Sequence, residues 1–176
     1  MNNLSNEIMD VIKESIKLEI NGRKFFEHAA EVTNNELGKK MFQKLAQDEM
    51  GHINTFGQIF SSLIGSDDWK KFVTEEETRG TSAIIEELKA RIAKEAKEKG
   101  AGELEAIRIG MELERKAIAF FEQSMKHTSD STTNQIFIKI SDEEKFHYDL
   151  LQAQYDNITN SGFWFDIAEF RMDGKY

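Results

Sequence analysis

The chain has 176 residues, a length that predicts one domain with a full apolar core. It contains no cysteine, which excludes disulfides, thiolate nucleophiles and cysteine-held metal sites, and no proline, which favours long unbroken helices. Its net charge of −9 at pH 7 argues against nucleic-acid binding. With no recognisable signal peptide and no apolar run long enough to span a membrane, we expect a soluble, cytoplasmic protein.

Apolar residues spaced by threes and fours predict two long helices in the first part of the chain. The first pattern covers residues 8–29. A polar break follows, in which Asn34 or Asn35 suits the N-cap of the next helix. The second pattern covers residues 37–63 and ends near Gly65, a residue type typical of helix C-termini.

A long crossover and two further helices follow. Residues 66–100 must connect the two halves, and they include a predicted helix at 82–97. Two more long patterns cover residues 104–125 and 136–158. The predicted fold is therefore all-α: a four-helix bundle at residues 1–160, made of two helical hairpins joined by a long crossover containing an extra helix.

Residues 161–176 form a tail of different character. It contains Phe163, Trp164, Phe165 and Phe170 within a few residues of one another. Large exposed apolar patches usually mark contact sites, so we expect this tail to pack on the bundle or on a neighbouring subunit.

Two copies of one pattern of acids and histidines lie 95 residues apart, each a Glu followed thirty residues later by Glu-x-x-His. The six residues are Glu19, Glu49 and His52 in the first copy and Glu114, Glu144 and His147 in the second. Glu and His are ligands for iron, manganese and zinc, and spacing of three puts both on one helix face. The duplicated set predicts a site for two metal ions.

The position of these acids supports the same prediction. In all four long helices the Glu lies on the apolar stripe, where an ionised carboxylate costs several kcal/mol unless it is paired or bound to metal. Two divalent cations would balance four carboxylates. Glu19 and Glu49 also lie 15 residues on either side of the turn at Asn34, roughly 22 Å in each helix, so an antiparallel hairpin brings them level.

Asp48 and Glu143 immediately precede the second Glu of each copy. They are suited to accept the second ring N–H of the histidine on the facing helix, which would fix its tautomer and orientation. The alternative is an ordinary solvated acid. The other two histidines, His28 and His127, have no Glu three residues before them and are predicted to lie at the surface.

A Glu from each of two helices and Glu-x-x-His from each of the other two resembles the ferritin-like di-iron and di-manganese carboxylate proteins. The match covers residues 5–158. Within that superfamily, the chain length, the two acid-Glu-x-x-His motifs and the aromatic tail look most like rubrerythrin-like di-iron proteins. The resemblance implies two iron ions, or manganese or a mixed pair, with Glu19 and Glu114 as terminal ligands, Glu49 and Glu144 as bridging ligands, and one histidine for each metal.

The chain departs from rubrerythrins in three respects. It lacks the four cysteines of their rubredoxin domain, so electrons would come from a separate donor protein or from Fe²⁺ itself. Rubrerythrins carry an extra Glu one turn before the third-helix ligand, where this chain has Met111, mirrored by Ile16, so we expect a symmetric site more like that of bacterioferritin. Phe26 stands where many members have Tyr.

From this resemblance we expect a non-haem di-iron oxidoreductase that reacts with hydrogen peroxide or O₂ in oxidative-stress defence. The alternatives are a ferroxidase for iron sequestration, a di-manganese catalase-like enzyme and a metal-free structural bundle. The expected partners are the small oxidant, an electron-donor protein and a second copy of the chain in a homodimer, with or without exchange of hairpins.

Overall fold

The computed structural model describes residues 3–79, 83–95, 101–126 and 131–159. Apart from short turns, these residues are helical, which confirms the all-α prediction over the described part of the chain. The six helices in this part are α1 (Asn3–Val32), α2 (Glu36–Ile64), α3 (Asp68–Thr78), α4 (Ala83–Glu95), α5 (Ala101–Ser124) and α6 (Ser131–Thr159).

Local side-chain chemistry sets the two ends of α2. Asn35 is the N-cap, and its side-chain oxygen accepts a hydrogen bond from the Gly38 backbone N–H at 2.9 Å. Gly65 ends the helix in a left-handed conformation with φ of 70°, and its N–H donates to the Ser61 carbonyl. Both boundaries predicted for this helix are confirmed.

The four long helices pack as two antiparallel hairpins. In the first, α1 runs along α2, and the Phe26 and Phe42 rings stack with centroids 6.2 Å apart. In the second, α5 runs along α6, and the Gln154 side-chain amide reaches the Glu103 carboxylate. The hairpins meet where α1 contacts α5 and where α2 contacts α6. This packing places one face of each long helix in a shared interior.

The described residues of the connection between the hairpins form two helices, whereas the sequence pattern predicted one. α4 lies within the range predicted for the crossover helix and packs on α5 and α1. α3 was not predicted; it contacts α1 and α2, and its Trp69 ring lies directly against Gly57. The aromatic tail at 161–176 lies outside the described residues.

The apolar core forms two clusters. One includes Phe25, Phe42, Leu45 and Ile107, and the other includes Ile12, Phe56, Phe121 and Phe137. Along α2, α5 and α6 the predicted metal ligands fall between the residues of the two clusters, and in α1 Glu19 lies next to Ile20, the last residue of that helix in the second cluster. A polar layer therefore lies at the boundary of the two apolar clusters.

Two residues of the predicted apolar stripe in α2 are not in the core. Leu37 and Leu63 are 49% and 39% exposed because they lie in the first and last turns, beyond the packed length of the bundle. Within the described residues, every helix is too short or too polar to cross a membrane.

Candidate metal centre

The structure brings all six predicted ligands together in the middle of the bundle. Each is at most 3% exposed, which is rare for acidic side chains unless they are paired or bind metal. α1 and α5 each supply one Glu, and α2 and α6 each supply a Glu and a His one turn apart. The members are Glu19, Glu49, His52, Glu114, Glu144 and His147.

Their ligand atoms form two overlapping groups, each with its atoms within 4.8 Å of one another. The first group consists of Glu19, Glu49, His52 and Glu144, and the second of Glu49, Glu114, Glu144 and His147. Glu49 and Glu144 belong to both. A carboxylate has two oxygens, which would let each of these two residues contribute a ligand to both groups.

The His52 ring has one nitrogen facing the acids of the cluster and one facing a second acid. Nδ1 lies 3.2 Å from Glu19 Oε2 and 3.0 Å from Glu144 Oε1. On the other side of the ring, Nε2 donates to Glu143 Oε2 at 2.8 Å. This arrangement leaves Nδ1 as the atom directed at a metal and gives the N–H of Nε2 a fixed acceptor.

His147 repeats this geometry from the facing helix. Its Nδ1 lies 2.9 Å from Glu144 Oε2 and 3.6 Å from Glu114 Oε1, and its Nε2 lies 3.5 Å from Asp48 Oδ2. The Asp48–His147 contact is longer than the Glu143–His52 contact, so Asp48 and Glu143 orient their histidines unequally. The two imidazole rings face each other with centroids 5.8 Å apart.

Burial and mutual repulsion shift the pKa values of the clustered carboxylates. Burial raises the pKa of Glu19 well above its usual value, and the charge of Glu49 raises it further. Burial likewise raises the pKa of Glu114, against a hydrogen bond with His147 that lowers it. Burial also opposes ionisation of Glu144, but hydrogen bonds from His147 and His52 outweigh it, and the pKa of Glu144 is lowered.

The pKa values of the two histidines are raised, whereas burial of an isolated imidazole lowers its pKa. Burial alone would lower the pKa of His147, but hydrogen bonds with Asp48, Glu114 and Glu144 raise it to about 12. The pKa of His52 is also raised, by Glu144 and Glu19, against burial. The carboxylates around both rings therefore favour the protonated, positively charged form of each imidazole. Metal binding would replace these protons and release them.

Two carboxylate oxygens provide a direct test of whether the site fits metal ions. Glu19 Oε1 and Glu114 Oε1, one in each ligand group, are buried and lack a hydrogen bond of ordinary length; the contact of Glu114 Oε1 with His147 Nδ1 is 3.6 Å long. An unpaired buried carboxylate oxygen is costly, and a cation in each group would give it a ligand. The residues present therefore fit two metal ions.

A groove between α1 and α5 leads to this layer, and sequence reasoning missed it. We call it the α1–α5 groove; it has a volume of about 340 Å³ and reaches Glu49, Glu114 and Glu144. Gly22, one turn after Glu19, lines it, and an added Cβ there would lie 3.3 Å from the Glu49 carboxylate carbon. Ala117 occupies the position that corresponds to Gly22 in the second copy of the pattern, and it also lines the groove. A small residue three positions after both Glu19 and Glu114 was therefore the feature of the sequence that could have indicated the groove.

The two remaining histidines give no second cluster in the described residues. His28 is half-buried near the end of α1, where its Nδ1 lies 3.7 Å from Glu31. His127 lies outside the described residues.

A protein-family model described as Rubrerythrin matches residues 10–155, which is most of the chain and includes all six residues of the cluster. The comparisons with curated proteins and with solved structures found no match.

Proposed function

Since this chain belongs to the rubrerythrin family, a ferritin-like di-iron family, we propose that it is a non-haem di-iron oxidoreductase whose oxidant is hydrogen peroxide or O₂. The observation that carries the proposal is the pair of overlapping ligand groups sharing Glu49 and Glu144. Sharing two carboxylates holds two ions close enough to act on one small molecule.

The roles of the six ligands follow from their positions. Glu19 and Glu114 would each hold one ion, Glu49 and Glu144 would contribute to holding both, and one imidazole Nδ1 would complete each group. When bound, two ferrous ions would supply one electron each to hydrogen peroxide, which with two protons becomes two molecules of water.

Asp48 and Glu143 act through the histidines. By accepting the Nε2 proton of the ring on the facing helix, each keeps the Nδ1 lone pair directed at the metal position. The Glu143 side chain is 43% exposed, so its carboxylate connects the buried His52 ring to solvent.

Aromatic residues on one side of the ligand layer keep bulk water away from it. The Phe56 ring stacks on Phe121 with centroids 5.6 Å apart and also contacts Phe137. All three rings are at most 1% exposed. A dry environment strengthens the attraction between the carboxylates and bound cations.

A single-turnover experiment tests the proposed reaction. The metal-free protein is loaded with two equivalents of Fe²⁺ under nitrogen and mixed in a stopped-flow instrument with hydrogen peroxide or with O₂. We expect two Fe²⁺ to be oxidised for each peroxide consumed, faster than free Fe²⁺ in the same buffer. Oxidation at the rate of free iron would contradict the proposal. Metal analysis of protein purified from its own source distinguishes iron from manganese.

One observation favours a second candidate, a ferroxidase that oxidises Fe²⁺ as cargo. Ile16 and Met111, one turn before Glu19 and Glu114, are both buried and apolar, so the ligand set is symmetric. Faster oxidation by O₂ than by peroxide, with repeated uptake of Fe²⁺ and a large assembly in size-exclusion chromatography, would support this candidate over a peroxidase.

A further inference from the structure

The α1–α5 groove is larger than either hydrogen peroxide or O₂ requires, and more apolar than hydrogen peroxide requires. Its volume is about 340 Å³, more than twice the roughly 150 Å³ of a protein cavity that holds benzene. Six apolar side chains line it: Leu18, Phe26, Ile85, Leu113, Ala117 and Phe120. Hydrogen peroxide has no apolar surface to bury, so these walls would add nothing to its binding.

The groove has polar ends and an apolar middle. Glu14 and Lys116 are exposed and line its solvent end, and Lys17 there is paired with Glu14 at 2.7 Å. The inner end is formed by carboxylates of the ligand cluster. A molecule that fits this arrangement has one reactive polar end and an apolar body.

Two small residues keep the inner end open. Gly22 has no side chain between the groove and Glu49, and its counterpart Ala117 is buried against the same space. On α4, Ile85 is fully buried and closes part of the wall, so the crossover contributes to the groove as well as the two long helices.

We propose that the α1–α5 groove binds organic hydroperoxides, with the apolar group between α1 and α5 and the O–O bond at the ligand cluster. This rests on the proposed di-iron function. The hydroperoxide takes up two electrons and two protons, its O–O bond breaks, and one alcohol and one water molecule form. The electrons come from the two Fe²⁺ ions, which become Fe³⁺ and are reduced again by an external electron-donor protein.

Binding is tested without redox chemistry. The protein is loaded with Zn²⁺, which does not change oxidation state, and titrated calorimetrically with 2-phenyl-2-propanol, the alcohol formed from cumene hydroperoxide. We expect saturable binding, and weaker binding of tert-butanol, which lacks the ring. Absence of detectable binding of the aromatic alcohol would overturn the proposal.

Matched substitutions locate the binding site. Leu113→Trp fills the groove from α5, and Leu18→Trp fills it from α1; both leucines are only half-buried, so a larger side chain has room at the surface. Each should weaken binding of the alcohol by about tenfold or more. Ile138→Trp is the control, because Ile138 is 49% exposed on α6 and does not line the groove.

Helical circular dichroism and zinc stoichiometry identify variants that remain folded. If the folded variants Leu113→Trp and Leu18→Trp bind the alcohol as tightly as the wild type, or if Ile138→Trp weakens binding equally, the groove is not the site.

Reaction with the ferrous protein then separates this inference from the proposed function. The proposed function and the organic substrate are both supported if hydrogen peroxide and cumene hydroperoxide each oxidise the ferrous protein, and if Leu113→Trp lowers the rate with cumene hydroperoxide more than the rate with hydrogen peroxide. Oxidation by hydrogen peroxide alone leaves the proposed function standing and overturns the organic substrate. Oxidation by neither peroxide overturns the organic substrate, even if the zinc form binds the alcohol, and the proposed function falls as well if O₂ also fails to oxidise the ferrous protein.

Discussion

At the scale of single residues, Glu144 differs from His147 although both belong to the same cluster. Glu144 is shared by the two ligand groups, whereas His147 belongs to one. We predict that His147→Ala lowers metal content from two ions towards one per chain, and that Glu144→Ala lowers it further, because both ions lose a ligand. Elemental analysis after dialysis against a metal-free buffer measures the stoichiometry.

The control for this comparison is Glu112→Ala. Glu112 is on the same helix as Glu114 but its side chain is 45% exposed and pairs with Lys116. Removing it should leave the stoichiometry at two. Equal metal content in the wild type, Glu144→Ala and His147→Ala would refute the ligand assignment.

A second residue-scale prediction concerns Glu103, which is outside the ligand cluster. Burial raises the pKa of Glu103, although the Gln154 amide donates to its carboxylate and lowers it. Because the folded state holds this proton more tightly than the unfolded state, Glu103 makes the protein less stable as pH rises above the ordinary glutamate pKa of roughly 4.3. We predict that Glu103→Gln, which keeps the acceptor and removes the charge, stabilises the protein increasingly with rising pH.

Melting temperatures of the wild type and Glu103→Gln across the acid-to-neutral range test this prediction. Glu112→Gln should show the reverse trend, because a hydrogen bond from Lys116 lowers the pKa of Glu112. Metal loss at low pH is common to the wild type and both variants, so its effect cancels in the differences between their melting temperatures. A constant difference between Glu103→Gln and the wild type at every pH would contradict the prediction.

At the scale of helices, the contact of Trp69 with Gly57 joins α3 to α2. A Cβ at Gly57 would overlap the indole ring, whereas a Cβ at Gly51, six residues earlier in the same helix, would meet nothing within 4 Å. We predict that Gly51→Ala stabilises the protein by about 0.5–1 kcal/mol through helix propensity. Gly57→Ala should instead destabilise it by roughly 1–3 kcal/mol because of overpacking.

Denaturant unfolding measures both changes, and a third variant tests their cause. In a Trp69→Ala background, Gly57→Ala should lose its penalty, since the overlapping ring has been removed. If Gly57→Ala is equally destabilising with and without Trp69, the contact does not explain the effect.

Comparison of the long helices with α3 shows which elements the sequence can predict. The long helices were predictable because their apolar residues repeat over many turns, and α2 also has cap residues at both ends. α3 was not, because its apolar residues Trp69, Phe72 and Val73 span little more than one of its turns, and none of its 11 residues is fully buried. Its contacts are with segments distant in the chain, such as that of Trp69 with Gly57, and no local pattern shows them.

The ligand cluster could be predicted from the sequence, whereas the groove could not. The six ligands were predictable because one duplicated spacing and the helical period place them on facing stripes. The groove depends on how closely α1 and α5 approach and on Ile85 from α4, which are outcomes of packing between distant segments. The pairing of Glu143 with His52 was suggested by sequence, but its shorter distance than the Asp48–His147 contact was not.

At the scale of the whole molecule, the polar layer between the two apolar clusters makes stability depend on metal. Without ions, the bundle encloses four carboxylates, and the pKa values of Glu19 and Glu114 are raised because ionisation there is unfavourable. We predict that chelation lowers the melting temperature, by roughly 10–20 °C if the free metal concentration is initially about a hundred times the dissociation constant of each of the two ions.

Differential scanning calorimetry with and without chelator measures this shift. The double variant Glu49→Ala/Glu144→Ala lacks both shared ligands, so the chelator should leave its melting temperature unchanged. An unchanged melting temperature in the wild type, with metal loss verified by elemental analysis, would contradict the prediction.

Each ligand group takes three residues from one hairpin and one from the other: Glu144 joins the first group, and Glu49 joins the second. A half-length ancestor with a single hairpin would therefore have held its metals only by assembling with a copy of itself. Gene duplication would then have fused the two partners, after which each half was free to diverge. The glycine at 22 and the alanine at 117, or the aspartate at 48 and the glutamate at 143, would be traces of that later independence.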